Sequence, residues 1–262
     1  MSSILGPSLS LGKVAGIPIK VHWSFSLLII FVSYIAVSNG IPNEDLIWFY
    51  SYVLLLFVFV IMHEYGHALT ARRYGIHTRD IIISPIGGIA RLEKLPENPG
   101  HELLIALAGP AVNVVLAIMF FIVQLTTSDF IIPAGEEINF GSINDFIGYL
   151  FAINVLLVVF NLVPAFPMDG GRVLRALLVM LTKDRIKATR IAVWIGQIIA
   201  AGFLFAGIYW DHYMLIFIGI FVFLTARAEF RQMKLLEKMN KSKVLDIMRR
   251  RFTLLNPGDL FE

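Results

Sequence analysis

Long apolar runs separated by short charged stretches dominate the pattern of this sequence. A helix that crosses a membrane needs about 20 mostly apolar residues. The runs predict six such helices, at residues 22–38, 46–71, 102–125, 146–163, 189–209 and 212–226. If they were instead core helices of a soluble protein, they would need a core far larger than 262 residues can enclose.

The composition indicates the same class of protein. Hydrophobic residues make up 57% of the chain and charged residues 16%, whereas soluble domains have about 45–50% and about 25%. The 21 Phe residues exclude a disordered chain, and the count of zero Cys excludes a secreted disulfide scaffold. We therefore expect an integral, multi-pass membrane protein that has the lipid bilayer as a partner.

The charged residues predict how the chain is oriented. All 22 Lys and Arg lie before the first predicted span, between the second and third, between the fourth span and Arg190, or after residue 226. The other loops carry only acidic charges, at Glu44, Asp45, Asp129, Glu136, Glu137, Asp145 and Asp211. Because Lys and Arg accumulate in cytoplasmic loops, both termini are expected in the cytoplasm. The net charge of +3 therefore reflects topology and does not indicate a nucleic-acid partner.

The second apolar run leads into the motif HEYGH at residues 63–67. His63 and His67 are four residues apart, so on a helix their imidazoles lie on one face, one turn apart. This spacing suits two ligands of a zinc ion, and Glu64 lies beside them, where it can accept a proton from water. Ionisable groups in an apolar helix are costly in lipid and indicate function; alternatively, they simply extend outward at the membrane surface.

A catalytic zinc site needs a third protein ligand, and Asp169 is the best candidate. It lies in the segment NLVPAFPMDGG at residues 161–171, after a span that runs in the same direction as the HEYGH span. The prolines and glycines are typical of a broken helix that points a side chain into a polar cavity. Alternatively, Asp169 is a solvated residue of a helix stop, and His22 or His101 is the third ligand.

The two motifs in this order resemble the site-2 protease family of intramembrane zinc metalloproteases, and AGPAVN at residues 108–113 extends the likeness. Met168 occupies a position where the family usually has Leu, a nearly volume-conserving exchange. The resemblance implies hydrolysis of peptide bonds in transmembrane protein substrates, with Glu64 as the catalytic general base. It also implies one Zn²⁺ per chain, with three ligands: His63, His67 and Asp169.

Three amide side chains lie in otherwise apolar spans: Asn113, Asn154 and Asn161. Asn154 and Asn161 are seven residues apart and share one helix face. We expect Asn154 near the scissile carbonyl as a substrate or oxyanion contact, with Asn113 and Asn161 shaping the site. Alternatively, these amides only form hydrogen bonds between helices.

Residues 76–95 are rich in β-branched side chains and are broken by SP at 84–85 and GG at 87–88. They predict two short strands directly after the zinc helix. An edge of this sheet could hold an unwound substrate segment by strand addition; alternatively, the segment is a membrane-surface loop. The predicted fold class is an all-α polytopic membrane protein with about six transmembrane helices and a small β-hairpin or sheet next to the zinc helix.

The chain changes character at Arg227, where charged residues become frequent. We therefore predict a transmembrane zinc metalloprotease domain at residues 1–226 and a cytosolic tail at 227–262 that begins with an amphipathic surface helix. KVLDIMR at 243–249 and FTLLNPGD at 252–259 resemble the opening of a CBS domain, which one branch of the family carries. The tail is thus expected to lead into such a domain; alternatively, it is a natural short tail.

A membrane metal-ion transporter or metal sensor could use the same cluster of two histidines and an aspartate. Transport predicts further ligands along an exit path, and the outer halves of the spans offer few of them. Transport also leaves no role for Glu64 between the histidines. The sequence therefore favours a protease with its active site opening towards the cytoplasm.

Overall fold

The described part of the chain, residues 7–85, 87–126 and 142–241, folds into seven helices and four strands in the computed structural model. In chain order these elements are β1 (Ser8–Val14), β2 (Ile17–His22), α1 (Phe25–Ser38), α2 (Leu46–Arg73), β3 (Thr78–Ser84), β4 (Gly87–Leu92), α3 (Pro99–Thr126), α4 (Ile143–Asn161), α5 (Asp169–Thr182), α6 (Arg185–Tyr209) and α7 (Tyr213–Lys241). The segments at 243–249 and 252–259 lie outside the described residues, so their likeness to a CBS domain stays a prediction.

Among these elements, five helices are long and apolar enough to cross a membrane: α2, α3, α4, α6 and α7. They correspond to five of the six predicted spans. The span predicted at 22–38 differs, because its first residue ends β2 and the rest contains the 14-residue helix α1. At 1.5 Å per residue, α1 is about 21 Å long, less than the roughly 30 Å of the hydrocarbon layer. Large apolar side chains such as Ile30, 65% exposed, face outward as lipid contact requires.

The four strands form one sheet in the order β1-β2-β3-β4. β3 and β4 pair antiparallel, with Ile82 opposite Ile89, which confirms the hairpin predicted within residues 76–95. β1 and β2 form another antiparallel hairpin, and β2 lies parallel to β3. Parallel strands need a crossover connection, and helices α1 and α2 supply it. The first hairpin is absent from the prediction, although SLSL at residues 8–11 shows the alternation of a strand.

A buried carboxylate joins three strands of this sheet. Asp80 on β3 accepts hydrogen bonds from Lys20 on β2, at 2.7 Å, and from Arg91 on β4. The hydrogen bond from Arg91, with that from Lys20, holds the pKa of Asp80 below its ordinary value. The next residue of β3, the buried Ile81, belongs to the same apolar cluster as Ala68 of α2. The sheet is therefore fixed beside the helix that carries HEYGH.

A sharp break separates α4 from α5. α4 ends at Asn161 and α5 begins at Asp169, so the predicted helix interruption is present. The loop between them packs against the start of α5, where a Cβ on Gly170 would lie 2.3 Å from the carbonyl oxygen of Val163. Only glycine permits this approach. The sequence does not predict α5 as a separate helix, and it is this helix that has Asp169 at its N-terminus.

Helix α7 is continuous from Tyr213 to Lys241. It passes the predicted domain boundary at 226/227 without a break. The charged segment after Arg227 is therefore an extension of the last long apolar helix rather than a separate surface helix. Whether a distinct domain follows stays a prediction.

Candidate metal centre

Helix α2 places both histidines of the HEYGH motif near its C-terminal end. Their Nε2 atoms lie 3.0 Å apart, and both residues are buried, with 5% of His63 and 4% of His67 exposed. His67 lies six residues before the end of the helix at Arg73, which is about 9 Å of helix rise. The pair therefore lies inside the protein, close to the end of the helix that carries basic residues.

Asp169 reaches this pair from the first position of α5. Its Oδ2 lies 3.0 Å from Nε2 of His63 and 3.0 Å from Nε2 of His67, and 6% of the residue is exposed. Among the residues that the structure describes, these three are the one group of His, Cys, Asp or Glu side chains placed to hold a metal ion. The HEYGH helix and the MDGG segment thus meet at one point, although His67 and Asp169 are 102 residues apart in sequence.

The alternative third ligands lie elsewhere. Nδ1 of His22 contacts the hydroxyl of Ser24 just after β2. The ring of His101 stacks on Tyr74, with a centroid distance of 4.0 Å. The fold therefore brings Asp169, and neither of these histidines, to the HEYGH pair.

The hydrogen bonds around the two imidazoles decide which ring nitrogens face the cluster. Nδ1 of His67 donates to the carbonyl oxygen of Ile105 at 2.7 Å, and Nδ1 of His63 donates to Oδ1 of Asn113 at 2.6 Å. With Nδ1 as the donor of each neutral ring, both Nε2 atoms direct lone pairs towards the carboxylate of Asp169. Three electron-rich atoms this close repel one another unless a cation lies between them. Two imidazoles and a carboxylate are a ligand set typical of catalytic zinc.

Asn113 connects the metal centre to a second asparagine. Its Oδ1 accepts from His63, and its Nδ2 donates to Oδ1 of Asn154 at 2.9 Å; both asparagines are fully buried. Asn154 and Asn161 each donate to the backbone carbonyl four residues earlier in α4, at 2.8 and 2.9 Å. Asn113 is therefore in position to orient a ligand, while contact of the three amides with a substrate stays a prediction.

Helix α3 approaches the histidines through Gly109. A Cβ at this position would lie 2.2 Å from Nε2 of His67 and 2.6 Å from Nε2 of His63. A Cβ on Gly66 of α2 would likewise lie 2.5 Å from the carbonyl oxygen of Ala108. Facing glycines thus allow α2 and α3 to pack at short range, with the imidazoles against the α3 backbone. The AGPAVN motif indicates a close approach at Gly109, but not that the approaching groups are the histidines.

Glu64 contacts the β-hairpin. Its Oε2 accepts a hydrogen bond from the backbone N–H of Ala90 on β4, at 2.9 Å, and the residue is half-buried. The contact joins the HEYGH helix to the last strand of the sheet. The motif itself carries no signal for it, because Ala90 contributes only a backbone group.

A buried ion network connects the helices around α5. Arg175, 1% exposed, donates to Glu102 of α3 at 2.6 Å and to Glu229 of α7 at 2.9 Å. Arg185 at the start of α6 also donates to Glu102. The sequence does not predict this network, because its members come from four helices and form no motif. It ties the helix that begins at Asp169 to three neighbours.

The model of peptidase family M50 matches residues 51–131 and 126–206, a range that includes all three residues of the cluster. This chain belongs to the M50 peptidase family. Its fold is similar to that of a site-2 protease from Methanocaldococcus jannaschii, with a TM-score of 0.61 and 34% identity. The match covers 86% of this chain and 95% of that one. Family and structure together confirm the resemblance to site-2 proteases and the predicted fold class.

Individual members of other organisms' proteomes are also similar to this chain in sequence. A zinc metalloprotease of Methanocaldococcus jannaschii is 36% identical over 246 residues, which is 92% of this chain and 66% of that protein. A Synechocystis protein, also named a zinc metalloprotease, is 35% identical over 201 residues, or 72% of this chain and 49% of its own. The chain thus spans about half to two thirds of these relatives' lengths. Both relatives are named as zinc enzymes, and the buried ligand set of this M50 member fits zinc.

Proposed function

We propose that this M50 chain is an intramembrane zinc endopeptidase that hydrolyses peptide bonds in transmembrane segments of protein substrates. The buried cluster of His63, His67 and Asp169 carries the proposal, because it lies between apolar helices long enough to cross a membrane. A metal centre in that position can reach a substrate helix at or near the bilayer. Family membership supports peptide hydrolysis as the reaction.

The proposed roles follow from the geometry of the centre. The three ligands would hold zinc, which, when bound, polarises a carbonyl group and lowers the pKa of water. Glu64 accepts a proton from the attacking water and delivers it to the departing amine nitrogen. Asn113 holds the ring of His63 in the orientation that directs Nε2 at the cluster. The Asn154 amide nitrogen has two hydrogens, and the one not used by the α4 carbonyl is the proposed substrate or oxyanion donor.

We place the unwound substrate segment against β4, the last strand of the sheet. A cavity of about 130 Å³ lies beside this strand, and its walls include Ala90 and Leu92 of β4, Ile105 of α3 and Arg172 of α5. Ile105 and Arg172 also approach the metal ligands. The Ile105 carbonyl oxygen accepts a hydrogen bond from His67 at 2.7 Å, and the Arg172 guanidinium lies 3.9 Å from the Asp169 carboxylate. An extended chain added to β4 would therefore run beside the cluster.

A metal transporter or metal sensor is not favoured. Transport needs a succession of ligand groups along a path, and the part of the chain that the structure describes has one such group. The relatives are named zinc metalloproteases.

Metal removal tests the reaction. The full chain, reconstituted in vesicles with a panel of single-span membrane proteins, is expected to cleave at least one of them and to lose this activity on treatment with 1,10-phenanthroline. Zinc added back should restore cleavage, because the ligands are side chains that remain in place. Cleavage that persists in metal-free protein, or zinc uptake into the vesicle lumen without cleavage, would contradict the proposal. Mass spectrometry of new peptide termini measures the cleavage.

We also propose that both termini and the opening of the site face the cytoplasm. Contacts join the basic segments in two groups: Arg72 donates to the carbonyl of Ala15, and Arg175 of α5 and Arg185 of α6 both donate to Glu102 of α3. We assign both groups to one end of the molecule, because the C-terminal part of α2 and the start of α5 meet at His67 and Asp169. The positive-inside rule supports assigning it to the cytoplasm.

Cysteine labelling checks this orientation, since the chain has no Cys of its own. Glu44→Cys, in an exposed acidic loop, is expected to react with a membrane-impermeant maleimide in intact cells. Lys187→Cys, at a side chain 72% exposed, is expected to react only after permeabilisation. The reverse pattern would overturn the orientation, and equal labelling of both positions in intact cells would show mixed insertion.

A further inference from the structure

The side chain of Glu64 is held by the sheet rather than by its own helix. Its Oε2 accepts the backbone N–H of Ala90 at 2.9 Å, and this is a contact between α2 and β4. With one carboxylate oxygen engaged, the plane of the group is restricted and the other oxygen can receive a proton. A general base needs this kind of fixed orientation, because proton transfer requires hydrogen-bond reach to the water.

The N–H of Ala90 is free to bind Glu64 because the pairing of β4 with β3 does not use it. Ala90 lies opposite Ile81 and its neighbour Ile89 opposite Ile82, as successive pairs of an antiparallel ladder. Residues in such pairs alternate between directing N–H groups to the partner strand and directing them outward. Since the N–H of Ala90 goes to Glu64, it is an outward group of the edge strand. The ladder shifts register between Ala90 and Leu92, but the N–H of Glu93 donates to the carbonyl oxygen of His77, just before β3, so the N–H of its neighbour Leu92 again points outward.

Gly88 provides a second, independent contact with the same side chain. A Cβ at Gly88 would lie 2.6 Å from Cγ of Glu64 and 3.1 Å from Cγ1 of Val60. A real Cβ contact is not as short as 2.6 Å, so Glu64 lies this close to the strand only because position 88 lacks a side chain. Two backbone positions of β4 thus form a cradle: Gly88 receives the stem of the side chain, and Ala90 holds its carboxylate.

We propose that Gly88 and Ala90 of β4 are positioning residues for the general base of this enzyme. The inference rests on the proposed peptidase function and adds a role for the hairpin. The sheet next to the zinc helix orients the Glu64 carboxylate, and the backbone N–H of Leu92, at the end of β4, is left for a paired substrate. The catalytic step and the docking of substrate then depend on different backbone groups of one strand.

Ala90→Pro tests this role, because proline removes the N–H that Glu64 accepts without removing a bond to β3. We expect kcat to fall by about 10- to 100-fold, the range for loss of groups that orient a catalytic centre, with KM and zinc content unchanged. Leu92→Pro is the matched comparison on the same edge. It is expected to raise KM with little change in kcat, since it removes a donor that a paired substrate would use.

Gly88→Ala provides a second variant with the backbone donor intact. The added methyl must displace Glu64, so kcat is expected to fall while zinc remains bound. Gly202→Ala is its control, because a Cβ there has nothing within 4 Å. If Ala90→Pro fails to fold, lactic acid at position 90, which replaces the amide N–H by an ester oxygen, gives the same measurement with a smaller change.

The outcomes separate the inference from the function on which it rests. Parental kcat in Gly88→Ala, together with parental kcat in Ala90→Pro or the ester variant, would overturn the positioning role while leaving the peptidase assignment intact. A rise in KM at constant kcat would also overturn it and would assign the cradle to substrate docking. Failure of the parent chain to cleave any panel protein would instead count against the proposed function.

Discussion

Replacing Glu64 by Gln is expected to abolish proteolysis while the protein keeps its zinc. The amide is close in size to the carboxylate but cannot accept a proton from water, and the three ligand side chains are unchanged. General acid–base groups contribute about 10²–10⁴-fold to rates, so the loss of kcat should be at least about 100-fold. Cleavage of reconstituted membrane proteins and metal content of the purified variant give the two measurements.

Glu93→Gln is a suitable control for this variant. Glu93 is exposed and lies just after β4, so its replacement makes the same chemical change close to the site but away from the cluster. Parental activity in the control and loss of activity in Glu64→Gln would assign the effect to the general base. If Glu64→Gln cleaved as fast as the parent, Glu64 would have no part in the reaction and the cradle on β4 would need another explanation.

Replacing Asp169 by Ala is expected to reduce bound zinc to near background. Its Oδ2 lies 3.0 Å from both Nε2 atoms, so its removal leaves only the two histidines to hold the metal. Asp169→Asn is expected to retain more zinc but to be nearly inactive, because a neutral amide oxygen is a poorer zinc ligand than a carboxylate. Metal content measured beside His67→Ala checks both variants without need of a substrate.

Two further variants define the specificity of this result. Asp211→Asn removes a carboxylate from an exposed turn whose φ of +55° asparagine readily adopts, and it should keep full zinc. His101→Ala should also keep its zinc, because His101 stacks on Tyr74 away from the cluster. Full zinc in both Asp169 variants would reject Asp169 as a ligand, and loss of zinc in His101→Ala would support the alternative.

Local features of the sequence were enough to predict the helices that cross the membrane, the HEYGH pair and the β3–β4 hairpin. Each is a short-range pattern: about 20 apolar residues, a four-residue histidine spacing, and β-branched residues broken by turns. The N-terminal hairpin was not predicted. Its strand β2 also pairs with β3, and this second pairing joins residues that two helices separate in the chain. The short helix α1 was overestimated because the apolar pattern at residues 22–38 does not show where the strand ends.

The sequence by itself determined the class of protein, its basic end and the residue types of the zinc site, because these depend on composition and on spacing within single helices. Only the tertiary structure decided that Asp169, rather than His22 or His101, meets the HEYGH pair, and that Glu64 rests on β4. Both contacts join segments far apart in the chain, and the second uses a backbone N–H that any residue but proline would offer. Such contacts depend on how close glycines let the backbones approach, which becomes visible only when the elements are packed together.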